Sequence, residues 1–186
     1  MVLCMALPWT APAAAPPVLT GAWVLDETAG DDPRRQLQDA LESPAPGTAG
    51  RGRPGGRTAG DQAQAVPGMP RTISERLDII HREPAIRIIA KGGREERLFT
   101  DYRGTSVSAK GASQVVTTAG WEEATLVVES HLRGGVKVLR RYRLDRQQDE
   151  LDITLELAGR WWPEPVIIPL TYRRVPAAAE PYPVDR

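Results

Sequence analysis

His81, His131 and Cys4 are the only histidines and the only cysteine in the chain, so imidazole, thiol or zinc chemistry would have to start from them. A zinc site needs about four nitrogen, sulfur or oxygen ligands. No spacing of carboxylates around these three residues supplies the rest, and the expectation is no metal and no cofactor. His81 shares strand parity with Leu77 and Ile79, which makes it a hydrogen-bonded residue of an apolar face rather than a catalytic base. His131 shares its face with Glu129 and is expected to be wet. Ser106, Ser108, Ser113 and Ser130 stand in no Gly-x-Ser-x-Gly elbow and no triad order. The acidic pairs Glu95 with Glu96 and Glu122 with Glu123 adjoin turns, where they keep strand ends soluble. Gly50, Gly52, Gly55 and Gly56 have no lysine after them and no strand-to-helix context, so they form no phosphate loop. The expectation is a protein that is not an enzyme.

The more informative polar residues fall on the same strand faces as apolar ones: His81, Arg140, Tyr142 and Tyr172, with Thr100 and Ser130 beside them. An arginine drawn into a barrel interior must find a partner. Glu83 is an internal candidate for Arg140, and an open barrel end is the alternative. Trp161 and Trp162, followed by Pro163-Glu164-Pro165, make a stiff aromatic connection that suits a portal lid, a partner contact or a plug over the core.

These positions require strands to hold them, and the alternation supplies them. Leu151, Ile153, Leu155 and Leu157 point one way while Asp152, Thr154 and Glu156 point the other, the pattern of a strand with one buried face. Val136, Val138, Tyr142 and Leu144 alternate likewise with Lys137, Arg141 and Arg143. Further strands are read at 19–26, 76–83, 85–91, 94–101, 113–118, 124–132 and 166–175. Gly92-Gly93 and Gly134-Gly135 mark two-residue hairpins, since primed turns need positive φ. Asp31 or Asp32 can cap a short helix from Pro33 to about Leu41, with Leu37, Ala40 and Leu41 as its apolar stripe. The fold class expected is all-β: an antiparallel up-and-down meander closing into a small barrel, with one short helix after the first strand.

Composition bounds the rest. The chain has 186 residues, 41% of them hydrophobic, and a formal net charge of zero, so no basic footprint points to nucleic acid. Residues 1–18 read as a signal-peptide-like N-terminus, with an apolar run from Met1 to Leu7 and an A-x-A pattern at Ala13 to Ala15. A periplasmic or secreted location follows. Lipid anchoring at Cys4 is disfavoured because no small residue precedes it, and no apolar run reaches the ~20 residues of a membrane span. The barrel domain is placed at 19–175, interrupted at 43–70 by a Gly/Pro/Arg-rich insertion with too few bulky apolar residues to offset its ordering entropy. Residues 176–186 form a tail.

Gly21-Ala22-Trp23-Val24-Leu25, the stretch from Trp121 to Val128, and Tyr142-Arg143-Leu144 together resemble motifs of the lipocalin-like small secreted barrels of bacteria. The resemblance spans Leu19 to Val175. It implies that Trp23 packs across the barrel end against an arginine of the last strand, Arg173 or Arg174, with parity favouring Arg174. Arg140-x-Tyr142 also resembles the Arg-x-Tyr pair with which fatty-acid-binding barrels hold a ligand carboxylate. What the resemblance implies for function is a small apolar or amphipathic ligand in the interior, contacted by Arg140, Tyr142, His81 and Tyr172. A different class of function, a cell-envelope scaffold with a filled barrel and an unknown protein partner, would use the Trp161–Trp162 loop instead.

Overall fold

The computed structural model describes residues 15–42, 69–109 and 113–176. The Met1 to Leu7 run, Cys4, residues 43–68 of the insertion and the tail from 177 onward lie outside the described residues. Ten strands and one helix follow in the order β1 (Gly21–Leu25), α1 (Pro33–Glu42), β2 (Arg76–Arg82), β3 (Ala85–Ala90), β4 (Glu95–Phe99), β5 (Thr105–Ala109), β6 (Ser113–Glu122), β7 (Thr125–Leu132), β8 (Val136–Asp145), β9 (Glu150–Ala158) and β10 (Val166–Val175). All pairings are antiparallel within one sheet ordered β4-β3-β2-β1-β10-β9-β8-β7-β6-β5. The result is an up-and-down meander curled into a nearly closed barrel.

The inward faces are those the alternation marks. On β9, Leu151, Ile153, Leu155 and Leu157 are all buried, and Ile168, Leu170 and Tyr172 line β10 in the same way. Gly92, Gly93, Gly134 and Gly135 all adopt positive φ at their hairpins, where a Cβ would be strained. The elements differ from the sequence reading in several places, β6 among them, which runs on to Glu122 past the expected end at residue 118. β5 falls between Asp101 and Ser113, where Thr-Ser-Val-Ser-Ala offers a single bulky residue and so no visible alternation. Met69, grouped with the insertion by composition, is a buried core residue, so the packed chain resumes before Arg71.

β1 pairs with β10 in a register that sets Trp23 opposite Arg174, but it also pairs with β2. Full ladders on both sides of β1 move the gap in the barrel elsewhere, to between β4 and β6. There a bridge of Asp101 with Gly120 and a hydrogen bond from the Tyr102 amide to the Ala119 carbonyl, 2.8 Å, tie the edges. Tyr102 takes a left-handed φ of 59°, and its ring covers Gly120 so closely that a Cβ there would stand 2.0 Å from Cζ. Its hydroxyl donates to the Trp121 carbonyl at 3.1 Å.

Helix α1 starts at an Asp32 cap whose carboxylate accepts the amides of Arg34 at 2.9 Å and Arg35 at 3.4 Å. Its buried face, Leu37, Ala40 and Leu41, joins the same core cluster as the barrel-lining residues. Trp162 fixes the helix end: its indole N–H donates to the Ala40 carbonyl at 2.9 Å, satisfying one of the acceptors a helix C-terminus leaves open. Trp161 meets Trp162 edge to face, with centroids 6.2 Å apart. Both are buried, 4% and 7% exposed. Both indoles belong to the core cluster, where their large apolar area is removed from water, and Trp162 does so against the end of α1.

Candidate functional site

Arg140 on β8 and Glu96 on β4 lie on strands that share no backbone pairing, yet their side chains meet across the lumen. The guanidinium donates from Nη1 and Nη2 to the two carboxylate oxygens, each at 2.6 Å, in the bidentate form that matches a planar fork to a carboxylate. The partner of Arg140 is therefore Glu96, not Glu83. Parity explains it: Glu96 shares the inward face of β4 with buried Leu98, whereas Glu83 sits in the turn after β2. The pair is incompletely satisfied, since Arg140 Nε is buried without an acceptor.

Burial opposes the charge on Arg140, but Tyr142 and Glu96 outweigh it and hold the guanidinium above its ordinary value. Burial likewise pushes the Glu96 carboxyl up, and Arg140 with Arg94 more than reverses the shift. Tyr142, on the inward face of β8 two residues on, is raised by burial and pulled back by Arg140. Tyr172 is raised by burial, and its hydroxyl donates to the Ser74 carbonyl at 2.8 Å. At neutral pH the group is a charged arginine–glutamate pair flanked by two neutral phenols.

Arg140, Glu96, Tyr142 and Tyr172 line an interior cavity of about 120 Å³ whose other walls include Leu77, Ile88, Ile153, Leu155 and Leu170. Thr72, Ile73, Ser74, Ala90 and Arg94 line this cavity and also a larger cleft of about 690 Å³ beneath α1. The cleft adds Leu37 and Leu41 from the helix, with Arg34, Arg71, Glu75 and Lys91 around it. A small, mostly apolar chamber with a few polar groups inside the barrel thus adjoins a roomier vestibule of similar character at the helix end.

In fold, the chain is similar to several solved barrels. One is titled a REP1-NXSQ fatty acid transporter, at 11% identity and a TM-score of 0.50, covering 86% of this chain and 98% of that one. Another is a secretary abundant heat soluble (SAHS) protein from Ramazzottius varieornatus, at 11% identity and a TM-score of 0.52, covering 90% and 98%. A luciferase domain from the dinoflagellate Lingulodinium polyedrum gives 14% identity and a TM-score of 0.52 over 91% of this chain and 47% of that one. No family model and no curated sequence matches the chain. At such identities the likeness is one of fold.

His81 does not line the cavity. Its Nδ1 accepts the Leu19 amide at 3.3 Å and its Nε2 lies 2.7 Å from Glu83, which fixes the proton on Nε2. Glu83 also receives the Trp121 indole N–H at 2.8 Å and the Thr100 hydroxyl. Burial pushes the Glu83 carboxyl up, but these bonds from Thr100, His81 and Trp121 hold it below the ordinary carboxylate value. The network joins the β2–β3 turn to the ends of β4 and β6, so His81 belongs to the side-chain stitching of the gap. Sequence reasoning had the facing of His81 right but missed Glu83, Thr100 and Trp121 as one cluster, because residues 38 positions apart meet only through barrel closure.

At the β1–β10 junction, the Arg174 guanidinium stands 4.4 Å from the centroid of the fully buried Trp23 ring. It also donates to the Thr20 carbonyl at 2.8 Å and to Asp149 at 3.0 Å. Arg173 points outward, where it pairs with Asp26 at 2.8 Å. His131 is exposed beside Glu129. Among the described residues no group of three or more His, Cys, Asp or Glu is placed to hold a metal, and no helix is long and apolar enough to cross a membrane.

Proposed function

We propose that the barrel binds a small amphipathic molecule, with its apolar part between the inner cavity and the cleft under α1. The observation that carries this reading is the cavity itself: apolar walls, a lumen-crossing Arg140–Glu96 pair with an unsatisfied Nε, and two phenols, opening toward a vestibule of ligand size. Binding sites combine apolar lining with a few convergent polar groups in volumes of roughly 300–1,000 Å³, and a pair left partly unsatisfied inside a core costs stability that packing alone does not explain. Arg140, Tyr142 and Tyr172 are the polar contacts in this account, and His81 serves the barrel wall. The fatty acid transporter of the same fold supports the idea that such a barrel can hold an apolar chain. Export to the periplasm or beyond rests on the N-terminal apolar run alone.

Native mass spectrometry of protein purified without detergent, before and after organic extraction, tests this. A bound mass of a few hundred daltons that extraction removes is expected. Protein at its bare mass that also fails to take up octanoate or 1-octanol would count against any interior ligand.

A further inference from the structure

Deep in the barrel Arg140 already has its counter-ion, held by two hydrogen bonds of 2.6 Å. A ligand carboxylate arriving there would have to displace Glu96 and leave that carboxylate unpaired against the same interior, which costs more than the exchange returns. The cleft is different. It is lined by four cations, Arg34, Arg71, Lys91 and Arg94, and by a single carboxylate, Glu75. Arg34 holds Glu27 at 2.6 Å and stands 3.5 Å from Glu75, and Lys91 pairs with Glu75. Arg71 and Arg94 have no ion-pair partner within 4 Å among the described residues. Arg94 is placed at the junction, since it lines both the cleft and the inner cavity.

We infer that the ligand is an anionic amphiphile bound with its head outward: carboxylate or phosphate at Arg71 and Arg94, alkyl chain along Ile73 and Ala90 and into the inner cavity. The inner space of about 120 Å³ holds about four water-sized groups at ~30 Å³ each, so only the tip of the chain enters it and the remainder lies in the vestibule. This orientation opposes the one implied by the Arg-x-Tyr likeness, in which the acid group would sit at Arg140. Direct pairing decides between them, because an ion already held by its counter-ion in a low-dielectric site offers little to a second anion, whereas Arg94 acts on Glu96 without an ion pair to it. The inference rests on the reading that the barrel binds an amphiphile.

The experiment titrates the whole chain with octanoate, octyl phosphate, 1-octanol and octyltrimethylammonium by calorimetry at low and moderate salt. Wild type is expected to bind octanoate and octyl phosphate about tenfold or more tighter than octanol, and the cation least, with the preference shrinking as salt rises. Arg71→Gln with Arg94→Gln should remove that tenfold preference, roughly 1.4 kcal/mol, while leaving octanol within about twofold. Glu96→Leu with Arg140→Met, which alters the inner cavity, should change octanoate and octanol alike so that their ratio persists, and Arg173→Gln, on the outer face and outside both spaces, should leave both affinities as they are. Equal binding of octanoate and octanol by wild type would overturn the inference and leave the ligand-binding barrel standing. A preference that survives the rim variant and vanishes with the Arg140 variant would overturn it in favour of the inward acid. Inorganic phosphate at the same concentration should not displace octyl phosphate; displacement would mean a free-anion site and overturn the amphiphile. Failure of all four probes would instead strike the barrel-binding reading itself.

Discussion

Replacing Glu96 by Gln should destabilise the barrel by about 2 kcal/mol, because it strands Arg140 in the lumen. Removing one member of a sealed ion pair costs ~3–5 kcal/mol. Here the side chains are 21% and 36% exposed, toward a cavity that water can enter, and the amide keeps one acceptor, so roughly half of that figure remains. In urea the midpoint should fall with the slope unchanged, and the melting temperature should drop by about 4–8 °C for a chain of this size. Glu96→Leu with Arg140→Met, which removes both charges at similar volume, should return to within about 1 kcal/mol of wild type. The pH dependence has a definite sign. Burial pushes the folded carboxyl up but Arg140 holds it below the ordinary glutamate range, so its contribution is fully present above that range and is lost as pH falls through the lowered value. The gap between wild type and Glu96→Gln should be flat from pH 7 to about 5 and shrink below about 4.5. A single variant as stable as wild type, or a double variant worse than the single, would refute the lumen-crossing pair.

Arg174→Ala should cost about 1–2 kcal/mol, since it removes the cation over Trp23 and the bond to the Thr20 carbonyl, and Arg173→Ala should cost less; urea unfolding of both measures the difference. Gly120→Ala should push the Tyr102 ring off the seam and break its bond to the Trp121 carbonyl, raising amide exchange at Tyr102 without unfolding the barrel, and unchanged exchange there would contradict the seam. Trp162→Ala should cost about 3 kcal/mol and release α1, read as a loss of helical circular dichroism out of proportion to the loss of strand signal.

The strands with one wet face were legible because period-two alternation on β8 and β9 is a direct copy of their environment. Facing was legible for the same reason: His81, Arg140, Tyr142 and Tyr172 all share the apolar parity of their strands, and Arg174 rather than Arg173 meets Trp23. β5 was hidden because its small polar residues carry no period. The partner of Arg140 was hidden because β4 and β8 meet only through curvature, which no local pattern records. For Trp161 and Trp162 the sequence left a lid, a partner contact and a plug over the core open, and the burial of both rings shows which surface they cover only once α1 is docked. The cleft beneath that helix, with Arg71 and Arg94 at its edge, joins segments from three parts of the chain and has no sequence signature.

The most direct test of a ligand inside the barrel is a titration of isotopically labelled protein with octanoate, followed by backbone amide shifts. Binding in the interior predicts saturable shifts at Ile73, Ala90, Arg94 and Tyr172, with β5 and the outer face of β10 unmoved. Shifts confined to the outer surface, or none at millimolar octanoate, would contradict it.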